Sequence, residues 1–357
     1  MAPQVTYTFG DVITGAVIDE IALKGVSMSR ALGRGEFRGS LFLDQTGKSN
    51  SDLLAATEPG RCYVICQRGN QPIWGGIVWV RTYQSQAKSM QLYCRAFEHY
   101  PEYRLVRTDL SYVSTEQRNI FRSLWLTMMA DPFSLQVEMP ASFSTVVTKS
   151  LEVKTFEFKT YAQAMESVAD GFDGFDWTID VARVGSAFTK TLRIGYPRLG
   201  STEPLVMYYP GDILNYWRND SMAERGTRVF GLGAGEGSTM LVQPVEHSDL
   251  IASAFPRYDV TLSYKDINDA TILASLTAQA ATFHKAGTRV LTVELKGDRE
   301  PEFGSFGLGD AVKIYIKDSR HPDPGDQLYE TRIIGWEYYP PSDEHVEMAR
   351  LTFEGAD

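Results

Sequence analysis

The sequence predicts a mainly β fold with α+β insertions, and three observations carry that expectation. Aromatic residues make up 12% of the 357, with 18 Tyr, 18 Phe and 6 Trp, a usage that favours strands. Short runs with alternating or continuous apolar residues, broken by glycine or polar turns, fill the first hundred residues and return towards the C-terminus. Helical spacing is convincing only in the stretches between them.

In chain order, "GEFRGSLFLD" (35–44), "GRCYVICQRG" (60–69), "QPIWGGIVWVRTY" (71–83) and "SMQLYCRAFEHY" (89–100) read as strands. Cys62, Val64 and Cys66 share one face of the second, while Tyr63 and Ile65 share the other. "RGNQ" (68–71) signals a hairpin. Residues 1–100 are therefore expected to form a small closed or sandwich-like β domain.

After Pro101 the pattern changes. "SYVSTEQRNIFRSLWLTMMAD" (111–131) offers Ser114 as N-cap with Gln117 in the capping-box position. Ile120, Leu124 and Met128 then recur at helical spacing beside Phe121 and Trp125. A short helix follows Thr160 and is expected to end at Gly171, before strands at "DWTIDV" (176–181) and "KTLRIGYP" (190–197). Residues 101–200 read as an α+β domain.

Strands resume from 201. Asp269 or Asp266 is expected to cap a helix with Ile272, Leu276, Ala280 and Phe283 on its apolar face, stopped by Gly287. This defines a helix-containing insertion, 251–287. Strands at 288–297, 309–318, 328–341 and 345–354 join residues 201–250 in a second β domain, 201–250 with 288–357.

"RVFGLGAGEGSTML" (228–241) has a glycine at every second position from Gly231 to Gly237. A dinucleotide fingerprint counted from Gly231 needs its third glycine where Glu236 stands; counted from Gly233, where Ser238 stands. A Walker-type loop lacks its lysine, and Pro244 stops any helix from opening. Period-two glycine instead fits a ribbon with one bare face, against which another backbone packs closely.

The composition, 43% hydrophobic and 22% charged, is globular. A net charge of −10 argues against gripping nucleic acid, which calls for Lys and Arg. Three cysteines (Cys62, Cys66, Cys94) do not make a disulfide framework and point to reduced thiols. The N-terminus shows no signal-peptide pattern, and no apolar run approaches the roughly 20 residues of a membrane helix. A soluble protein made inside a cell is expected.

The search for chemistry assigns no catalytic, cofactor-binding or metal-ligating residue. His99, His247, His284, His321 and His345 are scattered. Cys62 and Cys66 would lie about 13 Å apart on a strand, too far for one zinc. No G-x-S-x-G elbow occurs. Asp170, Asp173 and Asp176 in "DGFDGFDW" (170–177) miss the ligand spacing of a calcium loop. His321, Asp323 and Asp326 in the 318–327 loop could gather a metal, but two prolines and a glycine explain it as a hairpin connection, and the residues leave this open. A carboxylate pair for glycoside cleavage needs no sequence proximity, and nothing points to one.

Five stretches carry a family resemblance: "QPIWGGIVWVRTY", "GFDWTID" (174–180), "RVFGLGAGEG", "GLGDAVKIYI" (307–316) and "TRIIGWEYYPPSDEHVEMARLTFE" (331–354). In their order the chain resembles the baseplate hub, or tail-associated (minor tail), proteins of long-tailed bacteriophages, whose core fold type VI secretion spike hubs share. The opening half looks especially like minor tail proteins of phages infecting actinobacteria. The resemblance implies two β-barrel hub domains per chain and a homotrimeric ring matching a sixfold tail tube to a threefold tip. It also implies passage of DNA without specific binding, and no cofactor or enzymatic role. The implied partners are the distal tail protein ring, the tape measure protein and other minor tail or receptor-binding proteins. The implied location is the virion tail tip, assembled in the host cytoplasm. The glycine ribbon would then lie against a neighbouring subunit. Many such proteins extend into a C-terminal peptidase, lysin or receptor-binding region, and none is expected after the last strand here. A tail-associated cell-wall hydrolase and a receptor- or carbohydrate-binding module are the alternatives.

Overall fold

The computed structural model describes residues 3–45, 47–170, 173–222, 225–265, 267–286, 288–342 and 345–355. It is mainly β with α+β parts and divides into two compact units, 1–215 with 293–352 and 216–292 with 353–357.

The larger unit begins with β1 (Val5–Asp11), β2 (Val17–Glu20), β3 (Lys24–Ala31), β4 (Arg34–Phe42) and helix α1 (Asn50–Ala56). It continues with β5 (Cys62–Arg68), β6 (Gln71–Gln84), β7 (Ser89–Ala96) and β8 (Leu110–Glu116). Then come α2 (Gln117–Met129), β9 (Thr148–Val153), α3 (Tyr161–Ala169), β10 (Asp176–Val184), β11 (Ala187–Gly195) and β12 (Leu205–Tyr209). β13 (Ile213–Ser221) leads out of this unit. The smaller unit holds β14 (Arg228–Leu232), β15 (Val242–Glu246), α4 (Ser248–Ala252), β16 (Asp259–Ser263) and α5 (Ala270–Ala286). β17 (Thr288–Lys296) returns, and β18 (Ala311–Ile316), β19 (Gln327–Tyr339) and β20 (Met348–Phe353) complete the chain's elements.

The main sheet runs β20-β19-β3-β4-β7-β6-β5-β1-β2, with β18 on β19 and β12 parallel to β18. The expected closed barrels are not formed. Among the described residues the strands of both chain ends share one open sheet, joined where Tyr338 of β19 faces Met28 of β3. That pairing gives the edges of the two β blocks to each other, so neither block has a free pair of edges with which to close on itself.

β5 is buried at every position, which its unbroken apolar run requires. Gly69 and Asn70 make the two-residue turn into β6, with Gly69 at φ 60°. From the sheet, Tyr63, Ile65 and Ile77 enter one hydrophobic cluster with Ile120, Phe121, Leu124, Trp125 and Met128 of α2 and with α3. The helical periodicity predicted this face of α2. The paired glycines of β6 explain how β10 fits: a Cβ on Gly75 would stand 2.8 Å from Val181 and 2.9 Å from Phe97.

Ser114 does not cap α2. It lies in β8 at φ 44°, and the helix starts at Gln117 after Glu116. Pairing of β8 with β9 takes the predicted first turn into a sheet, and Gln117 N–H donates to Val147. The buried Glu116 carboxylate accepts from Val147 N–H at 3.1 Å and Arg118 Nε at 2.7 Å. Thr160 does cap α3: Gln163 N–H donates to its hydroxyl at 3.2 Å and Gln163 accepts from Thr160 N–H at 3.0 Å. Asp269 caps α5, accepting from Thr271 and Ile272 N–H. Gly171, Asp266 and Gly287 lie outside the described residues.

The buried face of α5 is turned by one residue from the expected one. Leu273, Thr277 and Ala281 are buried, whereas Ile272 is 51% exposed; the side chain of Phe283 is not described. Thr277 satisfies its hydroxyl on Leu273 O at 2.7 Å, so it occupies an apolar position without an orphan donor.

Lys190 of β11 is buried with its ammonium over the rings of Phe97 and Tyr63, at 5.5 and 5.9 Å. Burial pushes its pKa below the ordinary 10.5. The charged form is disfavoured in the fold, so the penalty stands at neutral pH and fades as pH rises through the folded pKa towards 10.5. Lys190→Met is expected to stabilise the protein by on the order of 1 kcal/mol at pH 7. The advantage should shrink in denaturant titrations at alkaline pH. A variant less stable than the parent at pH 7 would refute this.

Candidate functional site

The structure separates each chemical candidate. Asp170 ends α3, its N–H bonded to Glu166 O, and Asp173 turns at φ 58°. Asp176 accepts from Leu199 N–H at 3.1 Å and pairs with Arg332. His321 is consumed locally. Its Nδ1 accepts from Asp323 N–H at 3.1 Å, and Nε2 meets the Tyr329 hydroxyl at 3.2 Å. His99 contacts Glu102 at 2.6 Å, and His247 contacts Ala281 O at 2.8 Å. Cys62, Cys66 and Cys94 are free and buried. Among the described residues no group of three or more His, Cys, Asp or Glu is arranged to hold a metal.

At Gly231 and Gly233 the bare face of the glycine ribbon is covered by this chain's own smaller unit, whereas Gly237 faces open space. A Cβ on Gly231 would stand 1.9 Å from Thr277 Oγ1, and one on Gly233 would stand 2.8 Å from Ile267 O. Gly235, at φ 107°, would meet Thr239 O at 2.5 Å. The ribbon's N–H groups are spent within the unit, Gly233 on Leu241 O and Ala234 on Ile267 O. No cradle for phosphate is left at these two amides.

A groove of about 870 Å³ lies in the larger unit. Arg30, Arg68, Arg183 and Arg193 line it with Asp180, Phe303 and Trp336. Two of the arginines are structural struts. Arg68 Nε donates to Glu347 at 2.6 Å, a second nitrogen pairs with Glu302 at 2.8 Å, and a third contact reaches Gly297 O at 3.1 Å. Burial pulls the Arg68 pKa down, but Glu347 and Glu302 together hold it above the ordinary value. Tyr338, kept protonated by burial and then by its bond to Glu347, closes that network. Arg30 donates to Glu98 at 3.0 Å and to Thr178 at 2.9 Å, while Glu98 also accepts from Ile179 N–H at 2.9 Å. Arg193 pairs with Asp180 at 2.8 Å on the rim.

Such a wall braces. These arginines and carboxylates are spent on one another, which fixes β10 and the 297–302 segment against the sheet. The sequence search missed the buried pairs because their partners are remote. Arg68 and Glu347 are 279 residues apart, and Arg30 and Thr178 are 148 apart.

No protein-family model matches the sequence, and no curated protein matches it by sequence. Solved structures do match. The 43 kDa tail protein of prophage MuSo2 from Shewanella oneidensis superposes with a TM-score of 0.62 at 10% identity, over 98% of each chain. The tail protein from Neisseria meningitidis MC58 gives 0.60 at 12% identity, over 98% of this chain and 96% of the other. Prophage tail protein gp18 from Listeria monocytogenes EGD-e gives 0.57 at 10% identity, over 97% and 94%. The chain has the fold of these phage tail proteins, end to end.

Proposed function

We propose that the chain is a structural hub of a phage tail tip. Three copies form a ring that adapts a sixfold tail tube to a threefold tip and lets DNA pass during ejection. The observation that carries this reading is the match over nearly the whole length of both chains to tail proteins. The braced groove and the ribbon closed by its own helix are consistent with a scaffold, and we assign the chain no catalytic role. In the virion it would meet the distal tail protein ring, the tape measure protein and other minor tail or receptor-binding proteins.

The charge fits the passage of DNA. At −10 per chain, three chains carry −30, and an acidic channel wall would not hold phosphates as a basic one does. Light scattering on the purified chain at micromolar concentration is expected to give three times the 39.9 kDa chain mass. A single-chain mass would overturn the ring. A trimer structure with a basic lumen would overturn the electrostatic part.

A further inference from the structure

Among the described residues, the four most exposed large apolar side chains are Val113, Phe133 and Phe156 at 77% and Phe158 at 72%. All lie between residues 113 and 158 of the larger unit. Backbone and side-chain hydrogen bonds bring three of them around the same surface. Val106 N–H donates to Lys159 O at 2.9 Å and Tyr161 N–H to Arg104 O at 2.8 Å, which lays the Phe158 segment along 104–106. Thr155 N–H donates to Asp109 at 2.9 Å, placing the turn that carries Phe156 beside it. Phe133 N–H donates to Asp131, which itself accepts from Arg104 at 3.0 Å.

Among these segments lies a cavity of about 610 Å³ lined by Tyr103, Leu105, Arg107, Thr108, Thr127 and Tyr161. Tyr103 is 53% and Leu105 43% exposed. Phe158 adopts φ 52°, a conformation that a bulky residue rarely takes. An exposed aromatic held in such a backbone marks a place where local stability has been traded for presentation. Clustered exposed apolar surface of this kind marks an interaction site.

The charges around the cavity say what fits. Arg104 is paired with Asp131, Lys154 with Glu152 at 2.8 Å, and Lys159 with Glu157 at 2.6 Å. Arg107, exposed and lining the cavity, makes no hydrogen bond or ion pair among the described residues. We infer that this surface docks a segment of a different protein, one that presents large apolar side chains next to a carboxylate that pairs with Arg107. The inference stands on this surface alone and does not depend on the ring.

The test uses the full chain and fluorescein-labelled 12-residue peptides with fixed Trp and Leu anchors, flanked by Glu in one and by Lys in the other. Fluorescence anisotropy is expected to show the Glu peptide binding at least tenfold more tightly. Arg107→Glu should reverse that preference. The double variant Phe156→Ser/Phe158→Asn should weaken binding at least tenfold with an unchanged circular dichroism spectrum, as asparagine tolerates the backbone at 158. If that variant does not fold, Arg107→Glu decides alone. Equal binding of the two peptides, binding of neither, or binding indifferent to Arg107→Glu overturns the proposal. So does a change in oligomeric mass on substituting the two phenylalanines, which would assign the surface to a second copy.

Discussion

Arg68→Met is expected to destabilise the larger unit by about 3–5 kcal/mol, the cost of stranding a buried charge after removal of its partner. The stranded group is Glu347, whose side chain is 1% exposed and which, among the described residues, would keep only the hydroxyl of Tyr338 as a close donor. Arg68 is itself 7% exposed at the side chain, so solvent screens little of the pair. The network also fixes the 297–302 segment, through Gly297 O and Glu302. A Cβ at Gly297 would stand 2.7 Å from Glu347, so little room exists for the carboxylate to swing away. Arg68→Met/Glu347→Gln should recover part of the loss, because the amide still accepts from Tyr338 and carries no charge. Equilibrium denaturation of the three proteins reads this directly. A loss below about 1 kcal/mol for Arg68→Met, as for an exposed ion pair, would sink the account.

What the sequence could reveal follows from how far apart the deciding residues are. The β5–β6 hairpin was readable because its apolar run and its turn residues, Gly69 and Asn70, are contiguous. The capping box of α3 was readable for the same reason, since Thr160 and Gln163 are three residues apart. Ser114 carried an equally good local signal and lost it to β9, whose pairing with β8 lies beyond any local window. The strands before residue 34 were not read, although Val5, Tyr7 and Phe9 of β1 alternate as a half-buried strand would; β2, with no buried residue at all, is held by its pairing with β1. The union of both chain ends in one sheet rests on β19 meeting β3, and no local pattern announces it. The groove's buried charges are invisible for a related reason. A lone Arg68 or Glu98 reads as solvated surface until its distant partner is known. Phe156 and Phe158 alternate as a strand would; a 3-10 turn and a left-handed residue put them outward instead.

The ribbon gives the sharpest contrast between a site between subunits and one within the chain. Gly231→Val is expected to destabilise the smaller unit by about 3 kcal/mol, because the added side chain must displace Thr277 from a packed position. The hydroxyl that stands 1.9 Å from the new Cβ belongs to a short, stiff, buried side chain. It is also anchored on Leu273 O, so it does not rotate away freely. Removing it should therefore relieve the clash. Thr277→Ala alone costs its hydrogen bond, about 1 kcal/mol, yet in the double variant it should return about 1–2 kcal/mol, the coupling expected for residues in contact. Hydrogen exchange of the amides in β14 and α5 is the right readout, since it reports the opening of this unit separately from the main sheet. Additive effects in the cycle would show that Thr277 is not what excludes a side chain at 231. Were the ribbon instead an interface between copies, Gly231→Val would lower the oligomeric mass while leaving exchange in β14 and α5 of the dissociated chain unchanged, and the own-helix account would fall with it.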